Sequence, residues 1–91
     1  MISIEASRTD PSGTVETISA EIGSAEFGPL KKVGETTVKA PKPQWFCWVR
    51  CPALLKSEKA IIGYDATQAE ILAHSFVVQL MRDRGYELGT N

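Results

Sequence analysis

Between Asp65 and Gly85 the chain carries the start, the apolar stripe and the stop of one amphipathic helix, and the residues before it alternate at period two. A chain so divided folds as strands first and a helix last, because side chains one face apart recur every two residues in a strand and every three or four in a helix. Asp65 can accept from the first free N–H groups of a helix, and Gln68, three residues on, can reach back to complete a capping box. From Ala66 to Arg84 the residues are mostly good helix formers, with Ala69, Leu72, Phe76 and Leu80, joined by Ala73, at helical spacing. Arg82 and Arg84 suit the negative end of the helix dipole, and Gly85 is the expected residue just past the last turn.

Upstream, Ile2, Ile4 and Ala6 alternate with Ser3, Glu5 and Ser7. Beyond Asp10-Pro11-Ser12-Gly13, the set Ile18, Ala20 and Ile22 alternates with Thr17, Ser19 and Glu21. Proline presets φ for a turn and glycine supplies the positive φ that closes one, so these segments form a β-hairpin. Gln44 to Cys51 is dense in aromatic and β-branched residues and suits a central strand that ends before Pro52. Lys59 to Gly63 is a short apolar fourth strand.

The fold expected is therefore α+β: an antiparallel sheet of about four strands, ordered β-β-β-β-α, packed on one C-terminal helix. With 91 residues, of which 43% are hydrophobic, positions 1–91 are expected to form a single domain. Residues 24–43, rich in Gly, Pro and Lys, read as a long loop or insertion, with a short extended piece at Thr36 to Lys39.

Charge excludes more than it suggests. Ten basic and eleven acidic residues leave a net charge of −1, which offers no field to draw in nucleic acid or an anionic membrane. The scattered Lys31, Lys32, Lys39 and Lys42 make no basic run, and no apolar stretch approaches the roughly 20 residues of a membrane span. The expected location is cytoplasmic, with neither nucleic acid nor membrane as a partner.

Groups able to do chemistry are few. Cys47 and Cys51 share one strand face at a spacing of roughly 13 Å, too far for a disulfide within a continuous strand. They read as small buried hydrophobes, and His74, the only histidine, supplies no metal set with them. His74 follows Glu70 by one helical turn, an arrangement that is a surface pair far more often than an acid–base couple. Gly23, Gly28 and Gly34 are too far apart for a phosphate loop. No catalytic residue, cofactor or metal site is expected.

The geometry of the central strand is more informative. Trp45, Cys47, Val49 and Cys51 share one face, and Phe46, Trp48 and Arg50 the other. One helix covers one face, so Phe46, Trp48 and Arg50 form a candidate interaction surface, closed either by residues 24–43 or by a second copy of the chain. A second candidate is a pocket at the helix start with Tyr64, Asp65, Gln68 and His74 nearby.

With these elements in order, the chain resembles a family of small bacterial domains of unknown function. The similar segments are Asp10-Pro11-Ser12-Gly13, Ile22-Gly23, Trp45-Phe46-Cys47 and, most fully, Gly63-Tyr64-Asp65-Ala66-Thr67-Gln68-Ala69. Residues 24–43 depart from that family's short link. The resemblance implies strands followed by one helix and brings no activity. The functional expectation is a non-enzymatic protein-binding or regulatory module of bacterial origin, of a regulatory or immunity type and acting as a homodimer. The alternative is a small-molecule binder or small enzyme with its pocket near the helix N-terminus.

Overall fold

Asp10 organises the first turn. In the computed structural model, which describes residues 1–30, 32–33, 36–37 and 42–88, its Oδ1 accepts from Ser12 N–H at 2.9 Å, Thr14 N–H at 3.0 Å and the Ser12 hydroxyl at 2.6 Å. Gly13 then takes a φ of 90°, the left-handed step that a three-residue hairpin loop needs. The carboxylate's ordinary pKa is lowered, first by the Ser12 hydroxyl and then by the backbone N–H groups, all of which favour its charged form. The turn joins β1 (Ile2–Thr9) to β2 (Val15–Ile22) in register from Ile2↔Ile22 to Thr9↔Val15.

β2 does not stop where the alternation ends. Ile22 pairs with Val49 of β6 (Pro43–Arg50), and Glu26 of β3 (Glu26–Pro29) pairs with Phe46. Four steps along one strand thus oppose three on the other, a β-bulge that Gly23 anchors by donating to the Trp48 carbonyl at 2.9 Å. β7 (Lys59–Gly63) lies along the other edge of β6, antiparallel, from Trp45↔Gly63 to Val49↔Lys59. Later in the chain than β3, β4 (Lys32–Val33) and β5 (Thr36–Thr37) pair antiparallel as a separate two-stranded ribbon.

The α+β architecture is thus an antiparallel sheet with one C-terminal helix, α1 (Ala66–Asp83). Two features differ from the sequence reading. The described part of 24–43 is largely strand rather than loop, because Phe27 and Trp45 supply a cross-strand aromatic pair at its base. Lys31, Lys39 and Pro41 lie outside the described residues. After the helix, β8 (Glu87–Leu88) adds to β1 at Ala6 and Ser7. The main sheet therefore has six strands, not four.

The helix ends follow the residue signals. Asp65 Oδ1 accepts from Gln68 N–H at 2.7 Å, and Gln68 Oε1 accepts from Tyr64 N–H at 2.6 Å. At the far end Gly85, at φ 83°, donates to Arg82 O while Tyr86 donates to Met81 O, each at 3.0 Å. That is a Schellman stop, with Tyr86 and Met81 buried together as its apolar contact. Arg8 reinforces it from β1: its Nη1 donates to Arg84 O at 3.0 Å, its Nε to Glu16 at 3.0 Å, and its guanidinium lies 4.5 Å from the Tyr86 ring centre.

The buried stripe of α1 is Ala69, Ala73, Val77 and Met81, one turn apart, and not the row through Leu72 and Leu80. Small residues lead because the helix start lies almost on the sheet. A Cβ on Gly63 would stand 2.7 Å from Ala69 Cα and closer still to its nitrogen. Gly63 is thus required for this contact and not for a turn, since among the described glycines only Gly13 and Gly85 take a positive φ. Below the stripe lie Ile18, Ala20, Ile22, Cys47, Val49 and Cys51, all buried. Each large aliphatic side chain sealed there contributes about 1.5–3 kcal/mol of transfer free energy.

Candidate functional site

On the sheet face away from the helix, Phe46 is not bare. Leu30 and Ala60 bury it, with Trp48 half-buried beside it, the two rings meeting edge to face at 5.8 Å and 81°. The surface expected from Phe46, Trp48 and Arg50 is corrected accordingly. Phe46 is core, Trp48 is partly exposed, and Arg50 is exposed opposite Glu21 in the neighbouring strand. Leu30 belongs to the 24–43 segment, so part of the apolar excess on this face is covered from within the chain.

The open apolar surface is on the helix side. α1 starts level with the Trp45↔Gly63 pair and packs chiefly on the stretch of β6 and β7 that follows, so the β3–β6 end of the sheet has no helix above it. A cleft of about 540 Å³ opens there. Phe27, Pro43, Gln44 and Trp45 line it from the strands, and Gln68 and Leu72 from the helix. Ile62, Gly63 and Tyr64 complete the lining. Trp45 is half-buried, while Tyr64 is 90% exposed, Phe27 60% and Leu72 41%, so the large apolar groups stand around the opening with Trp45 set deeper among them. The Phe27 and Trp45 rings are 5.2 Å apart and tilted by 41°.

Two of the four residues expected near a pocket, Tyr64 and Gln68, line this cleft. Asp65 does not, because its carboxylate is committed to the helix cap. His74 is exposed elsewhere on the helix and does not line the cleft, so those four residues are not brought to one point. Sequence reasoning missed Phe27, which sat inside a presumed loop, and placed the exposed Leu72 on the buried stripe of the helix, while Trp45 does pack against the core on the helix side as its strand face implies. The signal available was Gly63 followed by a capped helix with alanines at its start. A helix held that low, and starting that late along the sheet, leaves Phe27, the outer member of the aromatic pair, uncovered.

Among the described residues, the lining of the cleft has no Cys, Ser, Thr, His, Lys, Asp or Glu. The buried Cys47 and Cys51 are free thiols, and Cys47 is pushed up by burial first and then by the Glu70 and Glu26 carboxylates, which disfavours the thiolate. Among the described residues no group of three His, Cys, Asp or Glu side chains stands together to hold a metal ion, and no helix is long and apolar enough to cross a membrane. The chain matches no protein-family model, no curated protein and no solved structure.

Proposed function

We propose that this chain is a non-enzymatic binding module of bacterial origin that docks a partner protein, a second copy of itself included, through the cleft beside the helix start. The observation that carries the reading is the cluster of exposed Phe27, Tyr64 and Leu72 around half-buried Trp45. Isolated exposed hydrophobes need no explanation, but three gathered at one concavity form the kind of patch that marks an interaction site. Aromatic anchors seated centrally in such a patch carry most of the binding energy of protein interfaces. The volume lies in the range of small-molecule sites, yet the cleft is open and the expected acid–base residues do not converge in it, which favours a docking role over catalysis.

The test is selection of displayed random peptides on the immobilised full chain, followed by binding measurements with the Phe27→Ala and Leu72→Ala variants. Light scattering of the purified chain decides between self-association and a foreign partner. Recovered peptides should bind the parent and lose about tenfold or more on either variant, as loss of a central anchor predicts. Peptides that bind both variants unchanged, or a selection that yields none, together with a monomer in solution, would remove the reading.

A further inference from the structure

We propose that the outer edge of β2, from Val15 to Ser19, is a docking site for an extended strand of a partner protein, which adds to the sheet there. This edge lies past the end of β6 at Arg50, whereas the cleft lies at the start of β6, so the two surfaces stand independently.

The hairpin outruns the strand beside it. β1 pairs with β2 from Ile2↔Ile22 to Thr9↔Val15, but β6 meets β2 only at Glu21 and Ile22. β6 goes no further because Pro52 has no N–H to give, and the Cys51 carbonyl turns back to accept from Leu54 at 3.0 Å and Leu55 at 2.8 Å. In an antiparallel strand the N–H and C=O of one residue point to one side and those of the next residue to the other. Thr14 O accepts from Asp10 N–H, so the even-numbered residues of β2 face β1. Gly23 N–H reaches Trp48 O on β6, so the odd-numbered ones face away from β1. Of these, Glu21 meets Arg50, and among the described residues no strand meets Val15, Thr17 or Ser19. Their N–H and C=O groups form an open row about 13 Å long.

That row selects its occupant. Donors and acceptors alternate along it at the repeat of an extended polypeptide, which is the one ligand that presents the matching ladder. The edge is also unguarded. Val15, Thr17 and Ser19 are exposed, Val15 at 61%, and the stretch has no proline, lysine or bulge of the kind that closes sheet edges to pairing. Its one charged residue, Glu16, is tied to Arg8 of β1 at 3.0 Å. β1 fixes β2 along this whole stretch, so only the incoming segment has to be ordered.

A second copy of the chain does not fit the edge. A two-fold antiparallel pairing centred on Thr17 or Ile18 would lay Gly13 or Val15 of one copy on Glu21 of the other, the place that Arg50 holds. Centred on Glu16, it would set two carboxylates face to face. The occupant is therefore a strand of a different protein.

The experiment is a titration of the 15N-labelled full chain with a lysine-capped alternating Thr-Val heptapeptide, to several millimolar, with amide hydrogen exchange read in parallel. A copy of the peptide N-methylated on alternate residues keeps one donor edge, and a copy methylated throughout keeps none. The parent and the alternately methylated peptide should shift the Val15, Thr17 and Ser19 amides saturably and slow their exchange, leaving exchange at Glu16 and Ile18 unchanged. The fully methylated peptide should bind about tenfold or more weaker. Thr17→Pro removes one outward donor and leaves the ladder to β1 in place, and should weaken the parent peptide to a similar degree. Phe27→Ala and Leu72→Ala, which alter the cleft, should leave this binding unchanged.

Absence of saturable shifts, equal binding of the fully methylated peptide, or exchange at Val15, Thr17 and Ser19 already slow in the dilute free chain would overturn the proposal. Exchange there that slows as the free chain is concentrated would assign the edge to a second copy and overturn the foreign strand. None of these results bears on the cleft, whose own test uses different variants.

Discussion

Gly63→Ala tests the helix–sheet contact directly. The new Cβ would lie 2.7 Å from Ala69 Cα and 3.0 Å from the Gln68 carbonyl carbon. Carbon atoms rest at about 3.5–4.0 Å, so the helix start must move by roughly 1 Å to admit the methyl. The atoms it meets are backbone and cannot rotate away, which places the cost near the upper end of the usual overpacking range, about 3 kcal/mol. Alanine recovers about 0.5–1 kcal/mol through its lower unfolded-state entropy. The net loss is about 2 kcal/mol, or about 8–16 °C in melting temperature for a domain of this size. Urea titration followed by the fluorescence of Trp45 and Trp48 measures it, with the midpoint falling and the slope unchanged. Gly28→Ala is the matched control, because nothing lies within 4 Å of its added Cβ. If Gly63→Ala were as stable as the parent, or behaved like Gly28→Ala, the close approach of α1 to β7 would be wrong.

Gly85→Ala must adopt the Schellman stop at φ 83° with a side chain, at a cost of about 1–2 kcal/mol by the same denaturation assay; a neutral result would mean the helix ends differently. The pKa of Asp10 is lowered on folding, so its contribution is present above the unfolded carboxylate value and is lost as pH falls through the lower folded one. Stability should therefore decline below about pH 4, and Asp10→Asn should flatten that limb of the profile; an identical profile in the variant would count against the turn network. Cys47 and Cys51 should react with an aromatic disulfide reagent only as the chain unfolds, since both are buried at 1% exposure or less. Stoichiometric labelling of either in native buffer would contradict the core as described.

What the sequence made legible follows the range of the interactions involved. The Asp10 turn, the Asp65–Gln68 cap and the Gly85 stop are local, set by hydrogen bonds within a few residues, and each could be read from residue type and spacing. The hairpin and the central strand were also legible, because β-branched and aromatic residues there alternate over eight positions. β3 and β8 were not. Four residues of β3 and two of β8 are too short to show a period, and both form only because a neighbouring strand offers its edge. The helix stripe was displaced for a related reason. Size ranks Leu72 above Ala73 as a core residue, but the distance between helix and sheet is set by Gly63, far from either in the pattern. The cleft inherits the same limit, since it depends on where the helix begins relative to Trp45, and spacing within one element does not contain that.

The pairing of β8 with β1 joins Leu88 to Ala6, residues at nearly opposite ends of the described chain. During synthesis every strand before Gly63 leaves the ribosome ahead of the helix that shields Ile18, Ala20 and Val49, and the last sheet edge arrives later still. The nascent chain therefore carries a greasy, unroofed sheet until residues 66–83 have been made and have folded onto it, a state in which self-association competes with folding. Premature termination anywhere before Met81 would leave that surface permanently uncovered, so truncated products are expected to reach the cell as substrates for chaperones and proteases rather than as partly working protein.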